Sequence, residues 1–328
     1  MNCIAVIGGG AFGTALANAA ALAGRDAILR LRHPHEAAEI ANSRENSRAL
    51  PGIRLQDRVA PTGEASDLAE ADAALLVVPA QAVRAALADL APHIPAACPV
   101  VVCAKGIERE TGAFMSEVVE EVRPGAPLAV LSGPSFAADI ARGLPTAVTL
   151  ACRDEGLAES LAAALSGPTF RVYHAQDVRG VEIGGAAKNV LAIAAGIVAG
   201  RGLGESARAA VVARGFAELL RFAEAHGAHP ATLMGLSGLG DVAMSCSSPQ
   251  SRNFALGLRL GEGAPPAAAG GGKLAEGAFT AEALLARARA RGVEMPLAEA
   301  VADILAGRRT IAETVAELMA RPLKPERG

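Results

Sequence analysis

One lysine, Lys188, stands in the middle of residues 181–200, a run that is otherwise almost wholly apolar. The run is long enough to cross a bilayer. However, Glu182 at its start and an ammonium near its centre would be expensive in hydrocarbon. A helix buried along most of its length in a soluble protein is the better reading. Buried lysine is rare without a partner. Desolvation disfavours its charged form, which moves it toward the range useful for proton transfer. Gly184 and Gly185 precede it and are expected to leave the ammonium uncovered, because helical side chains lean toward the N-terminus. The chemistry this suggests is proton donation and acceptance.

Three further groups could supply a substrate for that lysine. Ser251-Arg252-Asn253 opens a helical pattern, so backbone N–H groups, a guanidinium and two short polar side chains converge into an anion site suited to a phosphate monoester. An ordinary helix cap with an exposed arginine is the other reading. Asp241 follows the turn Gly238-Leu239-Gly240, where it either caps a helix or orients Lys188 or a substrate hydroxyl. Lys105 ends an apolar strand, as a solvated charge or as a substrate or cofactor contact; a place at the carboxyl end of a strand favours the contact.

A redox partner is suggested near the start of the chain. Residues 3–8 (CIAVIG) read as a strand, and Gly8, Gly10 and Gly13 form G-x-G-x-x-G before a helical pattern at 14–23. In that setting Gly8 permits the tight turn, Gly10 lets backbone approach a pyrophosphate, and Gly13 lets helix and strand pack closely. About twenty residues on, at the end of a strand at 26–32, an NAD site would place an acid. This chain offers Arg30, Arg32 and His33, which suit a 2′-phosphate. NADP(H) is therefore favoured and NAD(H) remains possible, with one arginine stacked on the adenine.

The elements that must hold these residues follow from hydrophobic patterning. Buried strands are expected at 73–79, 99–105, 128–133, 147–151 and 170–173, with helices at 81–90, 114–122, 136–142 and 157–165 between them. The alternation implies an α/β fold, a Rossmann-like doubly wound parallel sheet over residues 1–177 that binds a dinucleotide. From Val178 strands stop, and residues 178–328 read as an all-α substrate and catalytic domain. Its helices are expected at 207–226, 229–236, 252–260, 281–291, 296–305 and 310–319, with a mobile Gly/Pro-rich loop at 261–272 and a frayed polar tail at 322–328.

Composition narrows the class. The chain has 328 residues, 51% hydrophobic, enough for two well-filled cores. Lys and Arg total 31 against 34 Asp and Glu, so no polyanion-binding surface is implied. With no Trp and one Tyr there is no stacking platform for nucleic acid. Cys3, Cys98, Cys103, Cys152 and Cys246 are scattered and odd in number, without metal-ligand spacing, and read as reduced thiols of a cytoplasmic protein. A strand begins at once, so no signal peptide is expected.

Taken in order, GGGAFGTALA (8–17), AKGIERETG (104–112), SGPSFA (132–137), GLPTAV (143–148), GGAAKNV (184–190), GLGD (238–241), SRN (251–253), EG (276–277) and GVEMP (292–296) resemble the bacterial NAD(P)-dependent glycerol-3-phosphate dehydrogenase family over nearly the whole chain. The resemblance implies reversible NAD(P)H-dependent reduction of dihydroxyacetone phosphate to sn-glycerol 3-phosphate for glycerophospholipid synthesis, by a cytoplasmic homodimer without metal. Lys188 matches the family's proton donor and acceptor. Lys105, Gly133, Ser135, Lys188, Asp241, Ser251, Arg252 and Asn253 match substrate positions. Ala11, Phe12, Arg32, His33, Lys105, Ala137, Arg252, Leu274 and Glu276 join the three motif glycines as cofactor positions. The chain departs from the pattern at Gly9, Ala11 and Phe12 in the glycine turn, at Arg30 where tryptophan is common, and at Leu274-Ala275. A dehydrogenase for another β-hydroxy acid and a non-catalytic NADP(H)-sensing protein are the rival readings.

Overall fold

The computed structural model describes residues 1–269, 276–322 and 325. It divides into two units, residues 1–186 with 226–241, and residues 187–225 with 242–328. The boundary expected after Asp177 falls at the foot of a long helix, whose first turns belong to the first unit.

The first unit is built on β1 (Cys3–Ile7), α1 (Ala11–Leu22), β2 (Asp26–Arg30), α2 (Pro34–Ser43), β3 (Val59–Thr62), β4 (Ala73–Leu76), α3 (Val83–Leu90), β5 (Val100–Val102), α4 (Met115–Val122), β6 (Leu128–Ser132), α5 (Ala137–Ala141), β7 (Thr146–Cys152), α6 (Glu155–Leu165) and β8 (Phe170–Ala175). The eight strands form one sheet in the order β3-β2-β1-β4-β5-β6-β7-β8. Apolar side chains on its two faces make separate cores. Ile4, Val6, Leu29 and Leu75 join α1 and α6 on one face, while Ala5, Ile7, Ala74 and Leu76 join α3 and α4 on the other. Strands buried on both faces must be apolar at every position, which is why the central ones were legible.

Two features differ from expectation. The sheet is not wholly parallel, because β7 runs antiparallel to β6 and β8 follows β7. A parallel return would have to retrace five-residue β6, about 17 Å. Instead the chain passes through the five-residue helix α5 and re-enters the sheet from the end it left. The other difference is β3, with α2 before it, which hydrophobic runs did not reveal. The strand contains Pro61, which is tolerated because β3 is an edge.

The remaining helices are α7 (Val178–Gly200), α8 (Glu205–Ala225), α9 (Pro230–Leu233), α10 (Asp241–Ser245), α11 (Arg252–Gly261), α12 (Pro266–Ala269), α13 (Glu276–Ala290), α14 (Pro296–Leu305) and α15 (Ile311–Met319), with a π-turn at Leu236–Gly240. α7 is long and apolar enough for a bilayer, but 89% of its most apolar stretch is buried in the protein, as expected of a core helix. The stretch expected as a loop at 261–272 instead contains α12, held where Arg259 Nε donates to Ala269 O at 2.6 Å. Residues 270–272 of that stretch, and 323, 324 and 326–328 of the tail, lie outside the described residues.

Within the second unit α7 and α11 cross with their backbones in contact. A Cβ at Gly196 would lie 2.8 Å from Leu258 N, and one at Gly257 would lie 2.9 Å from Ile197 N. Gly200 and Gly261, one turn further along each helix, are closed in the same way by the facing main chain. Small residues at a spacing of four allow this approach.

Candidate active site

In the first unit the three motif glycines are required for three different reasons. Gly8 has φ +126°, and a Cβ there would lie 2.5 Å from Val77 O. A Cβ on Gly13 would strike Gly8 O, so α1 can approach β1 only with glycine at that position. At Gly10 a Cβ would meet nothing within 4 Å, and Gly10 caps α1 without any side-chain hydrogen bond. The helix thus presents an open N-terminus with its positive dipole end, the arrangement that receives a pyrophosphate. These residues fit a dinucleotide. Ala11 and Phe12, half-buried, pack onto the core beneath. Asn46, which sequence reasoning missed, fixes the turn by donating to Gly9 O at 2.8 Å and Thr14 Oγ1 at 2.9 Å.

Arg30 closes β2, and its carbonyl accepts from Gly8 N at 3.0 Å. Arg32 and His33 follow, both exposed. His33 stands at the start of α2 and stacks on His35, with ring centroids 5.6 Å apart.

Lys105 lies three residues beyond β5. Its Nζ donates to Asp241 Oδ2 at 2.7 Å and to Gly133 O at 2.9 Å. The aspartate side chain is fully buried and the lysine 15% exposed, so this pair is shielded from solvent and lightly screened. Gly133 has φ +146° and lies against Val148, with no room for a side chain. Its carbonyl also accepts from Ser135 Oγ at 3.0 Å. Ala137 is half-buried at the first position of α5. Asp241 emerges from the π-turn as the first residue of α10, and the structure gives it Lys105 as an ion-pair partner. Burial pushes the neighbouring Cys103 thiol up to about 12, so it is no nucleophile at neutral pH.

Gly184 and Gly185 differ from their expected role. A Cβ on Gly184 would lie 2.5 Å from Ser237 O, and one on Gly185 would collide with Ser132 Oγ and touch Lys105 Cγ. They let the first turns of α7 close onto the end of β6 and the π-turn. Ser132 Oγ and Ser237 Oγ are buried there without a hydrogen-bond partner.

In the second unit Lys188 is 7% exposed, and its Nζ donates to Ser245 Oγ at 3.0 Å. Ser245 was not singled out from sequence. Its signal is position: it lies four residues after Asp241, on the same face of α10. Asn189, beside Lys188, accepts from Asn253 Nδ2 at 2.9 Å. Ser251 is the N-cap of α11, its Oγ accepting from Phe254 N at 3.3 Å, while Arg252 is exposed at the first helical position. Of the three residues of SRN, one hydroxyl is thus committed to the cap, one amide to α7, and the guanidinium reaches solvent. Leu274 and the side chain of Glu276 lie outside the described residues.

A sequence model of the NAD-dependent glycerol-3-phosphate dehydrogenase N-terminus matches residues 3–158, and one of the C-terminus matches residues 177–316. The chain belongs to the NAD-dependent glycerol-3-phosphate dehydrogenase family. It is 64% identical over 324 residues to glycerol-3-phosphate dehydrogenase [NAD(P)+] of Methylobacterium radiotolerans, covering 98% of either chain. It is 61% identical over 324 residues to the protein of the same name from Azorhizobium caulinodans, again covering 98% of either chain. Among solved structures it resembles the glycerol-3-phosphate dehydrogenase of Coxiella burnetii, with TM-score 0.91 at 36% identity, over 98% of this chain and 99% of that one. The fold expected from sequence, a Rossmann-like sheet followed by a helical C-terminal part, is that of this dehydrogenase family.

Proposed function

We propose that the protein catalyses the reversible NAD(P)H-dependent reduction of dihydroxyacetone phosphate to sn-glycerol 3-phosphate, and so supplies the backbone for glycerophospholipid synthesis in the cytoplasm. The observation that carries this reading is Lys188, a buried ammonium held by Ser245 on a helix tied through Asn189–Asn253 to the exposed guanidinium of Arg252. When bound, the nicotinamide supplies the hydride to the carbonyl carbon.

The residues of the chain do the rest. Lys188 donates a hydrogen bond and then a proton to the carbonyl oxygen, which becomes the C2 hydroxyl, and in oxidation it takes that proton back. Its charge stabilises the developing alkoxide where water is scarce. Arg252, with Ser251 and Asn253 at the start of α11, holds the phosphate and so sets the carbonyl in register. Lys105, locked by Asp241 and Gly133 O, offers an oriented ammonium to the substrate or the cofactor, with Ser135 beside it. Gly8, Gly10, Ala11, Phe12 and Gly13 hold the pyrophosphate, Arg32 and His33 the adenosine end, and Ala137, Arg252, Leu274 and Glu276 further parts of the cofactor. Residues 1–177 then form the dinucleotide domain and 178–328 the substrate domain.

The lack of an acid after β2 supports NADP(H) over NAD(H). The five cysteines, none in a disulfide, support a reducing compartment, and the family supports a homodimer. A steady-state assay with dihydroxyacetone phosphate, run with NADPH and NADH in parallel and repeated with dihydroxyacetone, tests the reading. Turnover should depend on the phosphate. Equal kcat/KM for the unphosphorylated ketone would overturn it in favour of another hydroxy-acid dehydrogenase.

A further inference from the structure

Lys105 hangs between two anchors, and both belong to the segment that leaves β4. On the near side Cys103 N donates to Leu76 O at 3.0 Å, which carries the sheet one step past β5. On the far side Ile107 O accepts from Gln81 Nε2 at 2.8 Å, and Arg109 N donates to Gln81 Oε1 at 2.9 Å. Gln81 stands exposed in the 3-10 turn Ala80–Ala82 between β4 and α3. A surface amide ordinarily spends its donors and its acceptor on water. This one spends a donor and its acceptor on main-chain groups two residues apart, as a neighbouring parallel strand would. Glu108, the residue between them, is 8% exposed. It is gripped bidentately from α3, by Arg84 Nε at 2.9 Å and Nη2 at 2.8 Å, a geometry that fixes orientation as well as distance. Beyond that grip the chain folds back on itself, with Glu108 N donating to Ala113 O at 2.8 Å and Gly112 N to Glu108 O at 2.9 Å. The chain past the lysine is thus well braced, and Gln81 holds it at a carbonyl only two residues from Lys105.

We propose that Gln81 is a positioning residue for Lys105: its amide clamps the far side of the lysine's turn, as Leu76 O holds the near side, and so fixes the main chain from which the ammonium reaches Asp241 and Gly133 O. The proposal rests on the reading of Lys105 as a contact to substrate or cofactor. The need for such a clamp is geometric. A lysine ammonium is a point charge on a flexible stem, so its place is set by its partners and by the backbone it starts from. A misplacement of about 1 Å can cost on the order of 10²-fold in rate. Two hydrogen bonds from an exposed side chain add little to global stability, since water competes for both groups, and that separates a positioning role from a structural one.

Gln81→Met tests it, because it keeps the length of the side chain and removes both hydrogen bonds. In the ligand-free protein, hydrogen exchange followed by mass spectrometry should be faster across residues 104–112, with the urea midpoint close to that of the wild type. With dihydroxyacetone phosphate and NADPH, kcat/KM should fall by about tenfold, as for a partial misplacement. In a Lys105→Met background the same substitution should lower kcat/KM by less than about twofold, because residues that act through one group are not additive. Equal losses in both backgrounds would make Gln81 a general prop of the fold, and unchanged exchange or unchanged kcat/KM in Gln81→Met would remove the clamp. Each of these results overturns the proposal. Wild-type kcat/KM in Lys105→Met alone would instead overturn the reading of Lys105 on which it stands. Should Lys105→Met not fold, with the Asp241 carboxylate left buried beside it, Gln81→Met alone still decides: the proposal requires faster exchange and lower kcat/KM at an unchanged urea midpoint.

Discussion

At the scale of the residue, the proposed chemistry rests on two lysines with different surroundings. Lys188 donates to the neutral hydroxyl of Ser245. Lys188→Ala should lower kcat by roughly 10²–10⁴, the usual worth of a positioned acid or base, with NADPH affinity unchanged in calorimetry. Normal turnover in that variant would remove the lysine from the mechanism. Lys105 is held by a buried carboxylate. Asp241→Asn removes the carboxylate charge from this pair, and breaking a buried pair costs roughly 3–5 kcal/mol. Urea unfolding should show a loss of that order, together with a lower kcat/KM. Both lysines and Asp241 were legible in the sequence as individual residues. Their pairing was not, because 136 positions separate Lys105 from Asp241 and no periodicity connects a strand end to a π-turn. Ser245 went unseen for a related reason: a serine inside a short apolar helix carries no mark until its neighbour is known.

At the scale of the element, legibility followed burial. Strands enclosed on both faces have continuous apolar sequence and stood out. The edge strand β3 did not, since it is short and contains proline, while the strand expected at 147–151 is β7, whose own residues carry no sign that it runs antiparallel to β6. The crossing of α7 and α11 was likewise invisible in the sequence, where its glycines look like ordinary helix weakeners. Alanine is favoured over glycine in a helix by about 1 kcal/mol. Gly257→Ala should nevertheless destabilise the protein by roughly 1–3 kcal/mol, because the atoms it meets are main chain and cannot turn aside. Gly156→Ala in α6 is the matching control. Its Cβ would meet only Asp154 Oδ1 at 3.5 Å, so its urea midpoint should hold or rise.

At the scale of the whole molecule, stability should depend on pH through carboxyls of opposite kinds. Glu218 is 4% exposed and accepts from Leu297 N at 2.9 Å and Ala298 N at 3.3 Å at the start of α14. Burial pushes its carboxyl up from 4.5 to about 7 against the pull of those N–H groups. The unfolded chain therefore releases this proton first as pH rises. Stability from this group is full below about 4.5 and is lost by about 7, by an amount on the order of 3 kcal/mol. Glu108 works in the other direction. Hydrogen bonding to Arg84 holds its carboxyl below the ordinary range, so its contribution is present above about pH 4.5 and is lost on acidification. Glu218→Gln should flatten the decline of the urea midpoint between about pH 4.5 and 7 and leave the acid limb in place. An unaltered decline would mean that another group titrates there.

The glycine crossing of α7 and α11 has a further consequence for what the protein can accept. Two helices whose main chains touch cannot slide by a fraction of a turn, since each glycine is boxed by backbone of the other. The interval from Lys188 on one helix to the first turn of the other behaves as a fixed gauge, with Asn189–Asn253 as its clasp. On the roles proposed for Lys188 and Arg252, a ketone whose carbonyl lies one carbon further from its phosphate would need that gauge to open, and a backbone-to-backbone contact does not yield by the length of one carbon–carbon bond.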